Sequence, residues 1–139
     1  MKAFEELKQE FLKVKGFEDR YKLILDIGKT LENYPEEFRQ DKFKVKGCQS
    51  QVWLKPEFAD GKVHFYADSD SLLVKGIVAI VVRAYNDLPP DEILNLKADF
   101  LKDLGLAEHL SMNRSNGLMS MIKQVQLYAL VFKNVKGNL

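Results

Sequence analysis

One side chain is the only nucleophile of its type: Cys48, the single cysteine among 139 residues. It stands between Gly47 and the polar run Gln49, Ser50, Gln51, where one alternating apolar pattern stops and another starts. That is a turn position. The thiolate is the reactive form of cysteine, and cationic neighbours favour it. Alternation puts Lys44 and Lys46 on one face of their segment, where they could lower the thiol's pKa; they read equally well as a solvated strand edge. Gly47 permits backbone angles that other residues resist, so the thiol could be held at a loop tip. A lone cysteine can also be an inert small core residue, and the local pattern leaves both readings open. His64, His109 and Asp70 are the groups that could complete a cysteine, histidine and acid constellation, which is spatial and needs no local spacing. His64 alternates with Val63 and Phe65, which places it on an exposed or second face of a sheet. His109, beside Leu110, reads as a helix-end histidine or as a group near the thiol.

The elements that must position these residues follow from apolar periodicity. Phe4, Leu7 and Phe11, then Tyr21, Ile24, Leu25 and Leu31 after a break at Gly16, have helical spacing and predict a helical pair closed by Pro35. From Phe43 the period becomes two: Phe43 and Val45, then Gln51 and Trp53 opposite Val52 and Leu54, then Val63 and Phe65 opposite His64 and Tyr66. Half-buried strands show this alternation, with Pro56, Asp60 and Gly61 as turn chemistry. The run from Ser71 to Tyr85 mixes strand propensity at Ile77, Val78, Ile80, Val81 and Val82 with a length that suits a buried helix. Length favours the helix, with Asp70 or Ser71 as its cap and Asp68 and Asp70 suited to its positive end. Pro89 and Pro90 mark a break, Asp91 can cap a short helix through Ile93, Leu94 and Leu96, and Gly105 sits where a helix bearing Phe100, Leu101 and Leu104 could end. Leu118, Met121, Ile122, Val125, Tyr128 and Phe132 form the stripe of a long C-terminal helix. Residues 135–139 are expected to fray. The expected architecture is a single α+β domain over residues 1–139, a small antiparallel sheet flanked by several helices.

Composition narrows the partners. Lys plus Arg number 21 against 20 Asp plus Glu, a formal charge of +1 without long runs of one sign. Coating nucleic acid needs a concentrated positive face, so no nucleic-acid partner is expected. A single cysteine cannot close an internal disulfide, and with only two histidines it does not make a structural zinc site. The thiol suits a reducing compartment. The start interleaves charges with apolar residues, unlike a secretory signal, and the longest apolar run, Gly76 to Val82, is far short of a membrane span. The expectation is a soluble cytoplasmic protein without a membrane partner, either a monomer or a weak homodimer.

Three segments go beyond composition. Gly47-Cys48-Gln49-Ser50-Gln51-Val52-Trp53 resembles the active-site segment of the SufE family, sulfur-acceptor proteins of iron-sulfur cluster assembly that include the paralogue CsdE. Asp68-Ser69-Asp70 followed by Val74-Lys75-Gly76, and Asn113-Arg114-Ser115-Asn116-Gly117-Leu118 ahead of the C-terminal helix, resemble the second and third signature segments in the same order and at similar separations. The resemblance runs from the first helix to about Phe132. It departs from the pattern at Met112, where many relatives have proline.

The resemblance implies a SufE/IscU-like fold. It implies that Cys48 receives a sulfane sulfur from the persulfide of a cysteine desulfurase of the SufS or CsdA type, stimulates that enzyme, and passes the sulfur to a SufBCD-type scaffold complex or, for CsdE-like members, to another sulfur-using pathway. Pyridoxal phosphate belongs to the desulfurase, and no cofactor of the chain's own is expected. Arg114 matches the arginine of the third segment and could anchor the cysteine loop or a partner's carboxylate, or be an ordinary surface arginine. Asp70 matches an aspartate near the cysteine loop, and a helix cap explains it equally well. Gln51 and Trp53 read as strand and core residues that fix the loop. Sulfane transfer resembles thiol-disulfide exchange, for which one cysteine suffices, whereas a cluster scaffold needs several ligands. A resting thiol shielded in a pocket is expected, because an exposed persulfide is easily oxidised or reduced. Two other classes stay in view: a cysteine hydrolase using Cys48 with a histidine and Asp70, and a binding module in which the cysteine is incidental.

Overall fold

Helical spacing at the start of the chain becomes α1 (Lys2–Leu12) and α2 (Phe17–Gly28) in the computed structural model. The structure describes residues 2–48, 50–97, 104 and 112–137, the side chains of residues 2, 3, 112–115, 136 and 137 excepted. Leu7 and Phe11 of α1, and Ile24 and Ile27 of α2, are buried, and both helices pack on α3 (Leu72–Tyr85). The Ser71 hydroxyl caps α3 by accepting the Val74 N–H at 3.4 Å. Every residue from Gly76 to Val82 is buried. A segment enclosed on nearly all sides needs no polar stripe, which is why a β-branched run of this length is helical here.

Two glycines set the crossing of α2 and α3. A Cβ on Gly76 would lie 2.2 Å from the Ile24 carbonyl oxygen, and one on Gly28 would lie 2.9 Å from the Gly76 nitrogen. The two backbones are in direct contact, so neither position has room for a side chain.

The sheet is an antiparallel hairpin of β1 (Val52–Ala59) and β2 (Lys62–Ser69), in which Val52 faces Ser69 and Ala59 faces Lys62. Asp60 (φ 54°) and Gly61 (φ 76°) form the turn, both in the left-handed region, as the type I′ two-residue hairpin requires. Two expectations are corrected here. Pro56 lies within β1, not in the turn. Phe43 and Val45 do not form a third strand: Asp41–Phe43 is a 3₁₀ turn, and Lys44 meets Trp53 only as an isolated bridge. The Phe43 and Lys44 N–H groups donate back to the Gln40 and Asp41 carbonyls, which curls the backbone, and Phe43 packs edge-on against Phe38 at 5.7 Å.

Pro89 precedes α4 (Pro90–Asn95) and Pro90 opens it, so Asp91 lies in the first turn instead of capping, and pairs with Lys133 at 2.9 Å. The last helix, α5 (Met112–Gly137), buries Leu118, Met121, Ile122, Val125 and Ala129. Its Gln126 amide donates to the Ile93 and Leu96 carbonyls at 2.8 and 3.0 Å, and this ties α4 to α5. Asn113 to Gly117, expected ahead of this helix, are part of it. Leu104 is buried; the helix expected over Phe100 and Leu101, its end at Gly105, and His109 lie outside the described residues, as do 138 and 139 of the expected frayed end. Helices around one antiparallel hairpin make the expected α+β fold. Among the described residues no helix is long and apolar enough to cross a membrane.

Candidate functional site

The cysteine segment is a short loop tied at both ends. At its base the Val45 N–H donates to the Val52 carbonyl at 2.8 Å. At the strand entrance the Gln51 N–H donates to Asp70 Oδ1 at 3.0 Å, while the Asp70 N–H donates to the Gln51 carbonyl at 3.3 Å. Of the two roles open to Asp70, the geometry gives the helix cap to Ser71 and turns the Asp70 carboxylate to the loop. Gln51 contributes its backbone, and its side chain is exposed.

Between these ties Gly47 and Cys48 lie on α5. Gly47 has φ 90°, in the left-handed region, and Cys48 follows with its Sγ 3.5 Å from the Gly117 carbonyl oxygen. The thiol is half-buried, and burial pushes its pKa above the ordinary 9.0. The expected effect of Lys44 and Lys46 is thereby corrected. Lys44 pairs with Asp41 at 3.2 Å and lies 5.7 Å from the centre of the Trp53 ring, and Lys46 is exposed. Loss of water around Sγ is the dominant influence, and it disfavours the thiolate.

Trp53 is buried beside the loop, directly across the hairpin from Asp68. Arg39 clamps that pair. Its guanidinium carbon sits 4.6 Å above the Trp53 ring and 5.2 Å from the Tyr34 ring, while Nη2 reaches Asp68 Oδ2 and Glu36 Oε1, each at 3.0 Å. Lys75 of α3 adds a second cation 3.3 Å from Asp68 Oδ1. Burial alone would raise the Asp68 carboxyl; the Ser69 N–H, Arg39 and Lys75 outweigh it and hold the group below 3.8. This stacked and paired cluster stiffens the start of β1, immediately after the thiol loop. Sequence reasoning missed Arg39, because nothing local marks a residue whose partners lie 14 and 29 positions away. It also missed the contact of Gly117 with Cys48, although Gly117 stands in the segment Asn113-Arg114-Ser115-Asn116-Gly117-Leu118.

Arg114 lies in α5 one turn before Gly117, with its side chain outside the description. His64 belongs to the other half of the hairpin. Counting from Ser69, beside the loop, five residues at about 3.3 Å each place it roughly 16 Å along the strand. Its Nδ1 is 2.8 Å from Asp87 Oδ1 and its Nε2 is bonded to Glu32. Burial lowers its pKa, but the two carboxylates more than compensate and hold it above 6.5. An imidazole committed to two acids at that distance is not the base for Cys48.

Fold and loop together define a class: a small α+β domain that presents one partly covered thiol on a loop braced by helices. The chain belongs to the SufE family, whose model, described as an Fe-S metabolism associated domain, matches residues 5–129. It is 38% identical over 131 residues to an uncharacterized SufE-like protein of Rhizobium etli, covering 91% of this chain and 88% of that one. To an uncharacterized SufE-like protein of Synechocystis it is 41% identical over 114 residues, 82% of this chain and 72% of the other. A SufE-like protein of Rhizobium meliloti is 37% identical over 131 residues, with 91% and 94% covered. The solution structure of a hypothetical protein from Thermus thermophilus shares the fold, with a TM-score of 0.77 over 91% of this chain and 93% of that one at 19% identity. Family membership supports a sulfur-acceptor role in Fe-S metabolism and implies interaction with a cysteine desulfurase.

Proposed function

We propose that Cys48 is the sulfur-accepting residue and that the protein shuttles sulfane sulfur from a pyridoxal-phosphate-dependent cysteine desulfurase to an acceptor such as a SufBCD-type scaffold complex. The observation that carries the reading is the chain's single cysteine, placed on a helix-backed loop in a SufE-family domain. In the transfer step the Cys48 thiolate attacks the terminal sulfur of the donor persulfide. A new S–S bond forms at Cys48, the donor's S–S bond breaks, and the donor leaves as a thiolate that takes up the proton lost by Cys48. The exchange is balanced without an outside oxidant or reductant. Removing the persulfide frees the desulfurase for another turnover, which is the basis for stimulation.

The half-buried thiol supports a carrier that is quiet in isolation and becomes competent when a partner draws the loop out, because re-solvation favours the thiolate. Asp70, Gln51 and Trp53 hold the loop and its strand, and Arg114 is the candidate anchor on the helix side. The pyridoxal phosphate stays with the desulfurase, and the chain carries no cofactor of its own in this scheme. Incubation with a desulfurase and cysteine is expected to add sulfur to Cys48, removable by reductant. Absence of the adduct on the wild type, or an equal adduct on Cys48→Ser, refutes the proposal. Running the assay pairwise with SufS-type and CsdA-type enzymes, and then with scaffold or other recipients, separates cluster assembly from a CsdE-like route.

A further inference from the structure

α5 presents a bare position to the cysteine loop. Gly117 is buried, and a Cβ there would lie 3.2 Å from Cys48 Sγ, 3.4 Å from its Cα and 3.6 Å from its Cβ. The carbonyl oxygen of the same residue accepts the thiol S–H at 3.5 Å. One turn further, Ser120 lies under the other end of the contact: a Cβ on Gly47 would come within 2.8 Å of its hydroxyl oxygen. The loop therefore rests on α5 through a glycine from each side. Glycine inside a helix costs about 1 kcal/mol relative to alanine, so helix propensity does not explain Gly117. The close approach of the thiol does.

We infer that Gly117 is a positioning residue for the sulfur-accepting thiol, its bare Cα forming the floor of the resting seat and its carbonyl oxygen holding the S–H proton. The inference rests on the reading of Cys48 as the acceptor. Its consequence is that seating and reactivity are coupled. A thiol donates to the Gly117 carbonyl, whereas a thiolate has no proton to donate and would face the oxygen's lone pairs at the same distance. Leaving the seat and becoming nucleophilic are then one event, triggered when a partner pulls the loop from α5.

Gly117→Ala and Gly117→Leu test this in the free protein, because both residues favour the helix while occupying the seat to increasing degrees. The alanine Cβ requires Cys48 to yield by a few tenths of an ångström; the leucine side chain cannot share the space. The readout is the rate of Cys48 alkylation by iodoacetamide as a function of pH, with helix content followed by circular dichroism. The wild-type midpoint is expected above that of a free cysteine. Gly117→Leu is expected to bring it down by about one unit, with roughly tenfold faster alkylation near neutral pH, and Gly117→Ala to fall between. An unshifted midpoint and rate in a folded Gly117→Leu protein overturn the inference. Should that variant not fold, Gly47→Ala, which strains the same loop at its left-handed backbone position beside Ser120 and so loosens the seat from the other side, is measured in its place, and an unshifted profile in that folded protein overturns the inference. Alkylation needs no desulfurase, so the seat can fail while sulfur loading of Cys48 succeeds, and the reverse outcome counts against the acceptor reading alone.

Discussion

Gly76→Ala sets two opposing effects of known size against each other. In an isolated helix the change is favourable by about 1 kcal/mol. In this fold the added methyl group would sit 2.2 Å from the Ile24 carbonyl oxygen, 2.6 Å from Ile24 Cγ2 and 2.8 Å from the Ile24 carbonyl carbon. The obstruction is backbone, which no rotamer change relieves. Carbon contacts are optimal at about 3.5 Å or more, so α2 and α3 must separate by about 1 Å, and gaps of that size forfeit a quarter to a half of each dispersion contact across the interface. Overpacking of a core costs about 1–3 kcal/mol, and a backbone obstruction belongs at the upper end. The expected net loss is about 2 kcal/mol after the helix gain, which corresponds to a fall in melting temperature of roughly 8 °C for a domain of this size. Urea unfolding followed by circular dichroism and by the fluorescence of the single tryptophan, Trp53, measures it as a lower midpoint at constant m-value. The same separation shifts the start of α3 and with it the hold of Asp70 on Gln51, so Cys48 labelling should quicken. A variant as stable as wild type, or more stable by the helix-propensity amount, would refute the argument from the glycine crossing.

Asp70→Ala removes the acceptor for the Gln51 N–H and is expected to speed Cys48 alkylation about fivefold, the factor carried by a hydrogen bond of ~1 kcal/mol; a variant that labels at the wild-type rate contradicts the latch. His64 titrates with the opposite sign to an ordinary paired carboxylate. Its folded pKa stands above 6.5, so the stabilisation it draws from Glu32 and Asp87 is complete below pH 6.5 and is lost as pH rises through the elevated value. The stability advantage of wild type over His64→Gln should therefore shrink towards alkaline pH, and a gap that is constant or widens there would exclude the ion-paired histidine.

The parts of the fold legible in the sequence are those governed by period and length. The β-branched run of α3 was readable as a helix because its length outweighed its propensity, and the stripe from Leu118 to Phe132 marks α5 clearly. The strand expected at Phe43 and Val45 illustrates the limit: two alternating residues look the same whether the backbone extends or curls, and the curl is decided by contacts such as Phe43 on Phe38. At the site, Cys48 and Gly47 stand out by residue type, and the three family-like segments carry Asp68, Asp70, Gly76 and Gly117 without disclosing what they touch. Lysines near Cys48 in sequence suggested an activated thiol, but burial against α5 acts in the other direction, and burial depends on a helix 69 residues away. Arg39 was invisible for the same reason, as its stacking on Trp53 exists only once the chain has folded.

A free-standing hairpin offers its outer backbone groups to any extended segment it meets, and polymerisation through such edges is a common route to insoluble protein. Here the outer side of β2 is occupied by the stretch after α3: Val63 donates to the Leu88 carbonyl, Asp87 donates to Val63, and the Asn86 side chain accepts the Phe65 N–H. On the outer side of β1 the Val45 N–H takes the Val52 carbonyl, and Pro56 has no N–H to present. The ribbon that carries the thiol loop is thus furnished against recruitment by strangers along both flanks, which on the proposed reading of Cys48 leaves the loop open to chosen visitors while the scaffold stays closed to them.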